Sequence, residues 1–154
     1  MECYEGATMI KTFRGLIADG VQDTIVLHTN DGSIGYRIVK FEIMPKDVAA
    51  AAAEHVIKIY KVSQTTVDGV VDFSENTLLG AGFTNNYGDA TAYNLTERTI
   101  FEREIFNQDI YVTHKDMATG EPCNYYLELE QVKLDLNEST VATLKDIRNL
   151  EQPA

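Results

Sequence analysis

The chain has 154 residues, of which 44% are hydrophobic and 24% charged, as expected of one globular domain with a sizeable core. Its net charge of −11 argues against a general nucleic-acid binder, because such proteins need a basic footprint. No apolar run approaches the ~20 residues of a membrane span, and the start does not resemble a signal peptide. We therefore expect neither nucleic acid nor membrane among its partners.

Short extended runs between turn signals dominate the first half of the chain. Alternating apolar and polar side chains, bounded by Gly, Asn, Asp and Pro, predict strands there. These strands are Met9–Ile17, Asp23–Thr29, Ile34–Met44, Val56–Val62, Val70–Phe73 and Thr77–Phe83. The Asp31-Gly32 pair predicts a hairpin turn between the second and third strands. The alanine-rich segment Val48–Glu54 favours helix, although it is too short to be stable without tertiary support.

The second half continues the same pattern and ends in a helix. Its predicted strands are Ala92–Leu95, Thr99–Phe106, Gln108–Thr113 and Asn124–Leu136, with a turn at Met117–Pro122. In Asn137–Leu150, apolar residues recur every three positions, which predicts a helix with Asn137 as its N-cap. The alternative is one more strand through Thr140–Leu144.

Two predicted strands change phase along their length. The apolar positions switch face between Ile38 and Val39 in the third strand, and near Gln131 in the last one. A two-residue period changes phase through a bulge, a bend or burial on both faces, and all three stay open for the third strand. Near Gln131 we expect a bulge. Alternation also places Leu127 and Leu129 in the core, with Glu128 and Glu130 on the solvent face.

Many short strands with little helix predict a mainly β fold, an antiparallel β-sandwich or jelly-roll-like domain with one short C-terminal helix. The predicted organisation is an N-terminal arm, residues 1–8, followed by a single domain, residues 9–154.

The sequence contains no pattern typical of catalysis or metal binding. His28, His55 and His114 stand far apart in the sequence, and neither Cys3 nor Cys123 has a second cysteine at ligand spacing. No nucleophile elbow, phosphate-binding loop or dinucleotide fingerprint is present. The sequence therefore predicts no enzyme activity, no catalytic residues, no metal and no cofactor.

Hard oxygen ligands are grouped in two predicted loops, one with Asn30 and Asp31, the other with Asn85, Asn86 and Asp89. Neither loop has EF-hand spacing, and these residue types are favoured in turns for conformational reasons. We expect plain turns, with calcium binding as the alternative.

Four residues are predicted to form contacts with other molecules. Met1, Cys3 and Tyr4 make the arm apolar enough to dock on a neighbour, and Tyr87 stands in an Asn-rich loop suited to sugar or protein contact. The two predicted edge strands, Met9–Ile17 and Val70–Phe73, carry little charge, and exposed sheet edges must be covered, charged or paired. We expect a homo-oligomer, with a trimer favoured, in which the arm or an edge contacts the next subunit.

The stretches FNQDIYVTHK at 106–115 and NYYLELEQVKLDLNESTVATLKDIRN at 124–149 resemble a family of small structural proteins of marine tailed phages. The segments Gly20–Thr29 and Tyr36–Phe41 look similar too, so the resemblance runs through most of the chain from Met9. It implies a virion protein made in the host bacterial cytoplasm, and it implies no active-site residues.

The resemblance implies a virion role without telling which part of the virion. A head accessory or decoration protein that stabilises the shell through contacts with the major capsid protein is favoured. The alternatives are a tail or collar component, and a receptor- or glycan-binding β-sandwich module.

Overall fold

The computed structural model describes residues 9–86, 95–135, 137–138 and 140–144. Within these ranges the chain forms eight strands: β1 Ile10–Ile17, β2 Gln22–Ile25, β3 Ile34–Pro45, β4 Ala53–Tyr60, β5 Leu78–Asn86, β6 Thr96–Ile100, β7 Ile110–Asp116 and β8 Cys123–Lys133. Residues 137–138 and 140–144 are helical. The predicted mainly β chain with one short C-terminal helix is confirmed. No helix in the described ranges is long and apolar enough to span a membrane.

The strands form two antiparallel sheets that pack as a β-sandwich. Sheet A has the strand order β1-β8-β3, and sheet B has the order β2-β7-β4-β5-β6. Leu127 and Leu129 of sheet A are both 0% exposed, as predicted, and they belong to one core with Ile57 and Ile59 of sheet B. Each fully buried aliphatic side chain of this kind contributes about 1.5–3 kcal/mol to stability.

In strand β3 the change of phase is made by a bulge, one of the three possibilities that the sequence left open. The register between β3 and β8 shifts between Ile38 and Lys40, so Val39 is an extra residue without a partner in β8. The bulge lets Ile38 and Phe41 both point into the core although they are three positions apart. The bulge predicted near Gln131 is wrong, because β8 pairs with β3 through this residue without a shift.

The Asp31-Gly32 pair forms a turn, but the predicted hairpin is wrong. Gly32 has a φ of +67°, and the Asp31 carboxylate accepts a hydrogen bond from the backbone N–H of Ser33. However, β2 pairs with β7 and β3 pairs with β8, so this connection crosses from one sheet to the other. The local sequence thus predicts the turn correctly, but the partners of the two flanking strands are set by tertiary packing.

Residues 61–77, which we call the strap, lie across the outer face of sheet B between β4 and β5. The Lys58 ammonium donates hydrogen bonds to Asp68 Oδ1 and to the carbonyl of Val70, both at 2.7 Å. The Phe73 ring packs edge-on against Phe101, with 5.4 Å between ring centroids. The predicted strand Val70–Phe73 is therefore wrong, since these residues belong to an irregular cover over the sheet.

Other boundaries differ from the sequence prediction for local reasons. The segment Val48–Glu54 is not helical, because its first part makes turns, one of them capped by Asp47, and its last two residues begin β4. The cap of the C-terminal helix is Asp135 rather than Asn137, because Asp135 Oδ1 accepts the N–H of Glu138 at 2.8 Å. Phe106 forms only an isolated bridge to Tyr36.

Candidate functional site

The four residues predicted to make contacts, Met1, Cys3, Tyr4 and Tyr87, lie outside the described residues, and their roles stay predictions. Of the two loops with hard oxygen ligands, the one at Asp31 is a turn whose carboxylate is engaged by Thr29 and Ser33. In the other loop, the described residues Asn85 and Asn86 bond to the backbone of Leu95 and Val48. Asp89 lies outside the described residues. The side chains that can be placed therefore serve local structure.

The outer face of sheet A, which we call the open face, carries a layer of side chains that point away from the core. Buried residues alternate with these outward ones along β8, and β1 and β3 contribute one residue each to every row. The four rows are Leu16–Asn124–Met44, Arg14–Tyr126–Glu42, Thr12–Glu128–Lys40 and Ile10–Glu130–Arg37.

Charge on the open face is balanced, in contrast with the net charge of −11 for the whole chain. The rows hold three cations (Arg14, Arg37 and Lys40) and three anions (Glu42, Glu128 and Glu130).

Several of these charges are paired. Arg37 Nη2 lies 2.6 Å from Glu130 Oε2, and Arg98 of β6 reaches Glu42 with Nε at 3.0 Å. Glu128 accepts a hydrogen bond from the Tyr126 hydroxyl at 3.0 Å. Exposed and half-buried pairs of this kind each contribute a few tenths of a kcal/mol to about 1 kcal/mol, and they leave a face with little self-repulsion.

One end of the open face is apolar and forms a shallow groove. Leu16 is 49% exposed and Met44 is 62% exposed, and they flank Asn124 in the first row. Arg14 and Tyr126 line the same groove. Leu16 and Met44 therefore give the open face a small apolar patch with a polar rim.

A second candidate site is buried between the sheets. His55 of β4, His114 of β7 and Cys123 of β8 are each 0–1% exposed, and one ligand atom from each lies within 4.8 Å of the other two. His55 Nδ1 and His114 Nε2 are 2.9 Å apart, and the two rings stack with centroids 5.1 Å apart. Cys123 is contributed by sheet A and both histidines by sheet B, so the cluster bridges the sandwich.

Burial sets the protonation of this cluster. Desolvation lowers the pKa of both His55 and His114, with the negative charge of Asp116 opposing that effect. Desolvation raises the pKa of the Cys123 thiol to about 12. The cluster therefore consists of two neutral imidazoles and a thiol, and one imidazole donates to the other.

Two nitrogen atoms of the pair have no hydrogen-bond partner. They are His55 Nε2 and His114 Nδ1, which point away from the shared contact. The carbonyls of Ile17 and Ala18 lie near His114, but neither meets Nδ1 with the geometry of a hydrogen bond. Buried polar atoms without partners are rare and costly, so these two need a physical explanation.

Asp116 organises the backbone next to the cluster. Its carboxylate accepts hydrogen bonds from the N–H groups of Glu54, Ala118 and Glu121 and from the Thr119 hydroxyl. Burial raises its pKa, but these hydrogen bonds outweigh that effect and hold it far below the usual value. It is therefore a fixed negative charge beside the two imidazoles.

The buried cluster was missed at the level of sequence. Because His114 follows the predicted strand Gln108–Thr113 directly, the sequence indicates an ordinary polar residue near a strand end. This interpretation is wrong, since His114 is fully buried within β7. His28, interpreted in the same way, is exposed and has its Nδ1 2.7 Å from Asp109. The one usable signal was that His55 is in phase with Ile57, and His114 with Val112, on the apolar side of their strands.

No model of a known protein family matches the chain, and no curated protein is significantly similar to it.

Proposed function

We propose that this protein is a structural component of a tailed-phage particle, most specifically a head decoration protein that binds the major capsid protein through its open face. The observation that carries the proposal is the contrast between the two outer faces of the sandwich. The strap lies over the outer face of sheet B and itself exposes Val70, Val71 and Phe73. On sheet A the strands themselves carry the exposed apolar residues Ile10, Leu16 and Met44, beside a balanced set of charges. The resemblance of the sequence to structural proteins of marine tailed phages supports the same role.

Charge supports contact with protein rather than with nucleic acid. A chain of net charge −11 repels the phosphate backbone, and it also repels copies of itself wherever acidic surfaces meet. The open face is the exception, because its three cations match its three anions. A partner can approach this face without bringing two strongly acidic surfaces together.

The open face is too small to form a stable interface by itself, so a second contact is required. Three strands at about 4.8 Å spacing and eight residues of β1 give roughly 400 Å² of projected area. A stable interface buries about 800 Å² on each partner. Strand β1 lies at the edge of sheet A, with β8 as its partner on one side. Its charged residues are Lys11 and Arg14, which protect this edge only weakly.

We place the missing contact at this edge and at the arm, residues 1–8, that leads into it. Eight residues reach at most about 27 Å, enough to cross onto an adjacent subunit. The proposal therefore includes a homotrimer whose subunits meet through β1 or the arm, with the open face turned towards the shell. Decoration of this kind stabilises a shell by adding buried area between subunits.

The first test is the copy number of the chain in purified particles, measured by quantitative mass spectrometry. A decoration protein is expected in numbers comparable to the major capsid protein. A count equal to a small multiple of the tail symmetry would favour a tail or collar component instead. Absence from the particle would contradict a virion role altogether.

The second test uses matched surface variants in a capsid sedimentation assay. Leu16→Lys with Met44→Lys places two charges on the open face, while Val70→Lys with Val71→Lys places two on the strap, at residues that are 67% and 43% exposed. We expect the open-face variant to lose binding and the strap variant to bind like the wild type. Equal binding by both variants would show that the open face is not the contact surface.

The third test separates the arm from the face. A chain lacking residues 1–8 is expected to remain folded, to lose the trimer in light scattering and to bind capsids more weakly. A full-length protein that is monomeric and never sediments with capsids would contradict the decoration role. Binding of the full-length protein to host-surface glycans would then favour a receptor-binding module.

A further inference from the structure

We propose that His55, His114 and Cys123 form a buried binding site for a closed-shell, sulfur-preferring metal ion, Zn²⁺ or Cu⁺. This departs from the sequence prediction of no metal, which rested on the wide spacing of the ligands along the chain. The site is independent of the proposed function. Its effect is to connect β8 of sheet A to β4 and β7 of sheet B across the core.

The ligand set matches the preference of these ions. Thiolate sulfur selects Cu⁺ and Zn²⁺, and imidazole nitrogen suits both metals. Metal–nitrogen distances of about 2.0–2.1 Å and metal–sulfur distances of about 2.3 Å place ligand atoms roughly 3.3–3.8 Å apart. The observed separations, 2.9 Å between His55 Nδ1 and His114 Nε2 and at most 4.8 Å within the trio, bracket that range. The ligand atoms that are farthest apart need to approach each other by about 1 Å to reach the metal-bound arrangement.

The protons of the histidine pair can rearrange to admit an ion, and the carbonyls of Ile17 and Ala18 lie near His114 as acceptors for its outer N–H. In the metal-free pair, one proton lies between His55 Nδ1 and His114 Nε2, and the outer nitrogens have no partner. An ion bound between the facing nitrogens removes their need for that proton, which moves to an outer nitrogen of the same ring. Each ring is then neutral and bound through one nitrogen.

Charge balance is favourable for a site without contact to water. Binding breaks the S–H bond of Cys123, releases one proton to solvent and forms a metal–thiolate bond. Two neutral imidazoles and one thiolate leave a Cu⁺ site neutral and a Zn²⁺ site with one positive charge. The Asp116 carboxylate lies close enough to act on both rings, and its negative charge offsets the remaining charge of zinc.

The test begins with the full-length wild-type protein, because a site that is 0–1% exposed is expected to load during folding. The chain is unfolded with a chelator and a thiol reductant, then refolded with Zn²⁺ in one arm and with Cu⁺ under anaerobic ascorbate in the other. After desalting, we expect one ion per chain in at least one arm, with a higher unfolding temperature than the metal-free sample. The arm that retains its ion identifies the metal.

The sequence offers matched controls, since the chain contains three histidines and two cysteines. Cys123→Ser is expected to lose at least about 100-fold in affinity, more than the loss of an outer partner of a metal ligand causes. Cys3→Ser and His28→Gln remove the thiol and the imidazole that the site does not use. Both are expected to bind like the wild type.

Cobalt provides a readout that does not depend on the stability of any variant. Wild-type protein refolded with Co²⁺ is expected to show a thiolate-to-cobalt charge-transfer band, which the Cys3→Ser variant keeps. If neither Zn²⁺ nor Cu⁺ is retained by the wild type, and cobalt gives no such band, the proposal is wrong. The cluster is then a neutral hydrogen-bonded histidine pair packed against a thiol. Equal retention by Cys123→Ser would also contradict it.

Discussion

The outer faces of the two sheets carry similar side chains, but these side chains differ in their exposure to solvent. On sheet B, Lys58 points outward from its strand, yet the strap leaves it only 3% exposed. On sheet A, Lys40 also points outward, and it remains exposed above the Tyr126 ring. Alternation along a strand therefore determines which side of a sheet a residue takes, but not whether that side meets water.

The difference has an energetic consequence for each lysine. Because Lys58 is buried, its ammonium needs the Asp68 carboxylate and the Val70 carbonyl to replace the water it has lost. Lys40 keeps its hydration and needs no particular partner. One face is thus closed by specific polar contacts, while the other stays available for contact with another molecule.

The largest effect on stability is expected for a residue in the core between the two sheets. Leu127→Ala should lower the free energy of unfolding by about 2–5 kcal/mol, because it leaves a cavity beneath both sheets. The neighbouring Glu128→Gln, on the open face, should change it by less than about 0.5 kcal/mol. Urea unfolding of both variants measures this. If the glutamate change is the costlier one, the assigned faces of β8 are reversed.

The next largest effect on stability is expected at the outer face of sheet B, which the strap covers. Lys58→Ala should destabilise the protein by about 1.5–3 kcal/mol, the range for hydrogen bonds to charged groups, because Asp68 and Val70 lose their donor. Lys40→Ala is the control on the open face and should stay within about 0.5 kcal/mol of the wild type. Chemical denaturation gives both values. Equal costs would mean that the strap does not close sheet B.

Acid should loosen the strap before it unfolds the domain. The hydrogen bond from Lys58 lowers the pKa of Asp68, so the stabilisation is complete above the unfolded-state pKa of about 3.9 and is lost as the pH falls through the lower folded-state value. The protection of residues 61–77 against hydrogen exchange, relative to the intrinsic exchange rate at each pH, should therefore fall at low pH before that of β8 does. Asp68→Asn should show this loss of protection already at neutral pH.

The smallest effect on stability is expected on the open face. Leu16→Lys with Met44→Lys should leave the unfolding free energy within about 0.5 kcal/mol of the wild type, because both side chains already meet solvent. Thermal unfolding measures this. A large loss of stability would show that these side chains are packed in the free protein. Lost capsid binding by this variant would then reflect unfolding and not the loss of a contact surface.

Sequence patterns predicted the strands better than their partners. Two-residue alternation located β1, β3 and β8 to within a few residues, and it placed Leu127 and Leu129 correctly in the core. The same kind of pattern predicted a strand at Val70–Phe73, where the chain instead covers sheet B. Local periodicity reports which side of a segment is apolar, and it does not report what lies opposite.

The candidate sites could be predicted even less. His55 and His114 are 59 residues apart in the chain, and they meet because β4 and β7 pair. Ligand-spacing rules describe sites held by short loops, so they do not detect a cluster assembled from three strands. The open face, in turn, depends on which sheet the strap covers, and that is decided by contacts such as the one between Lys58 and Asp68.

The bulge in β3 affects how this strand responds to changes in chain length. Strand β3 has 12 residues and pairs along all 11 residues of β8, with Val39 as the unmatched one. Removing Val39 leaves every other residue with its partner and on its face, because Ile38 and Lys40 already oppose Leu129 and Glu128. A one-residue deletion in a strand ordinarily turns core side chains out to solvent. At Val39, by contrast, the core and surface residues of β3 keep their sides of the sheet after the deletion. Strand β3 therefore contains a position where the gene can lose one codon while the fold stays the same.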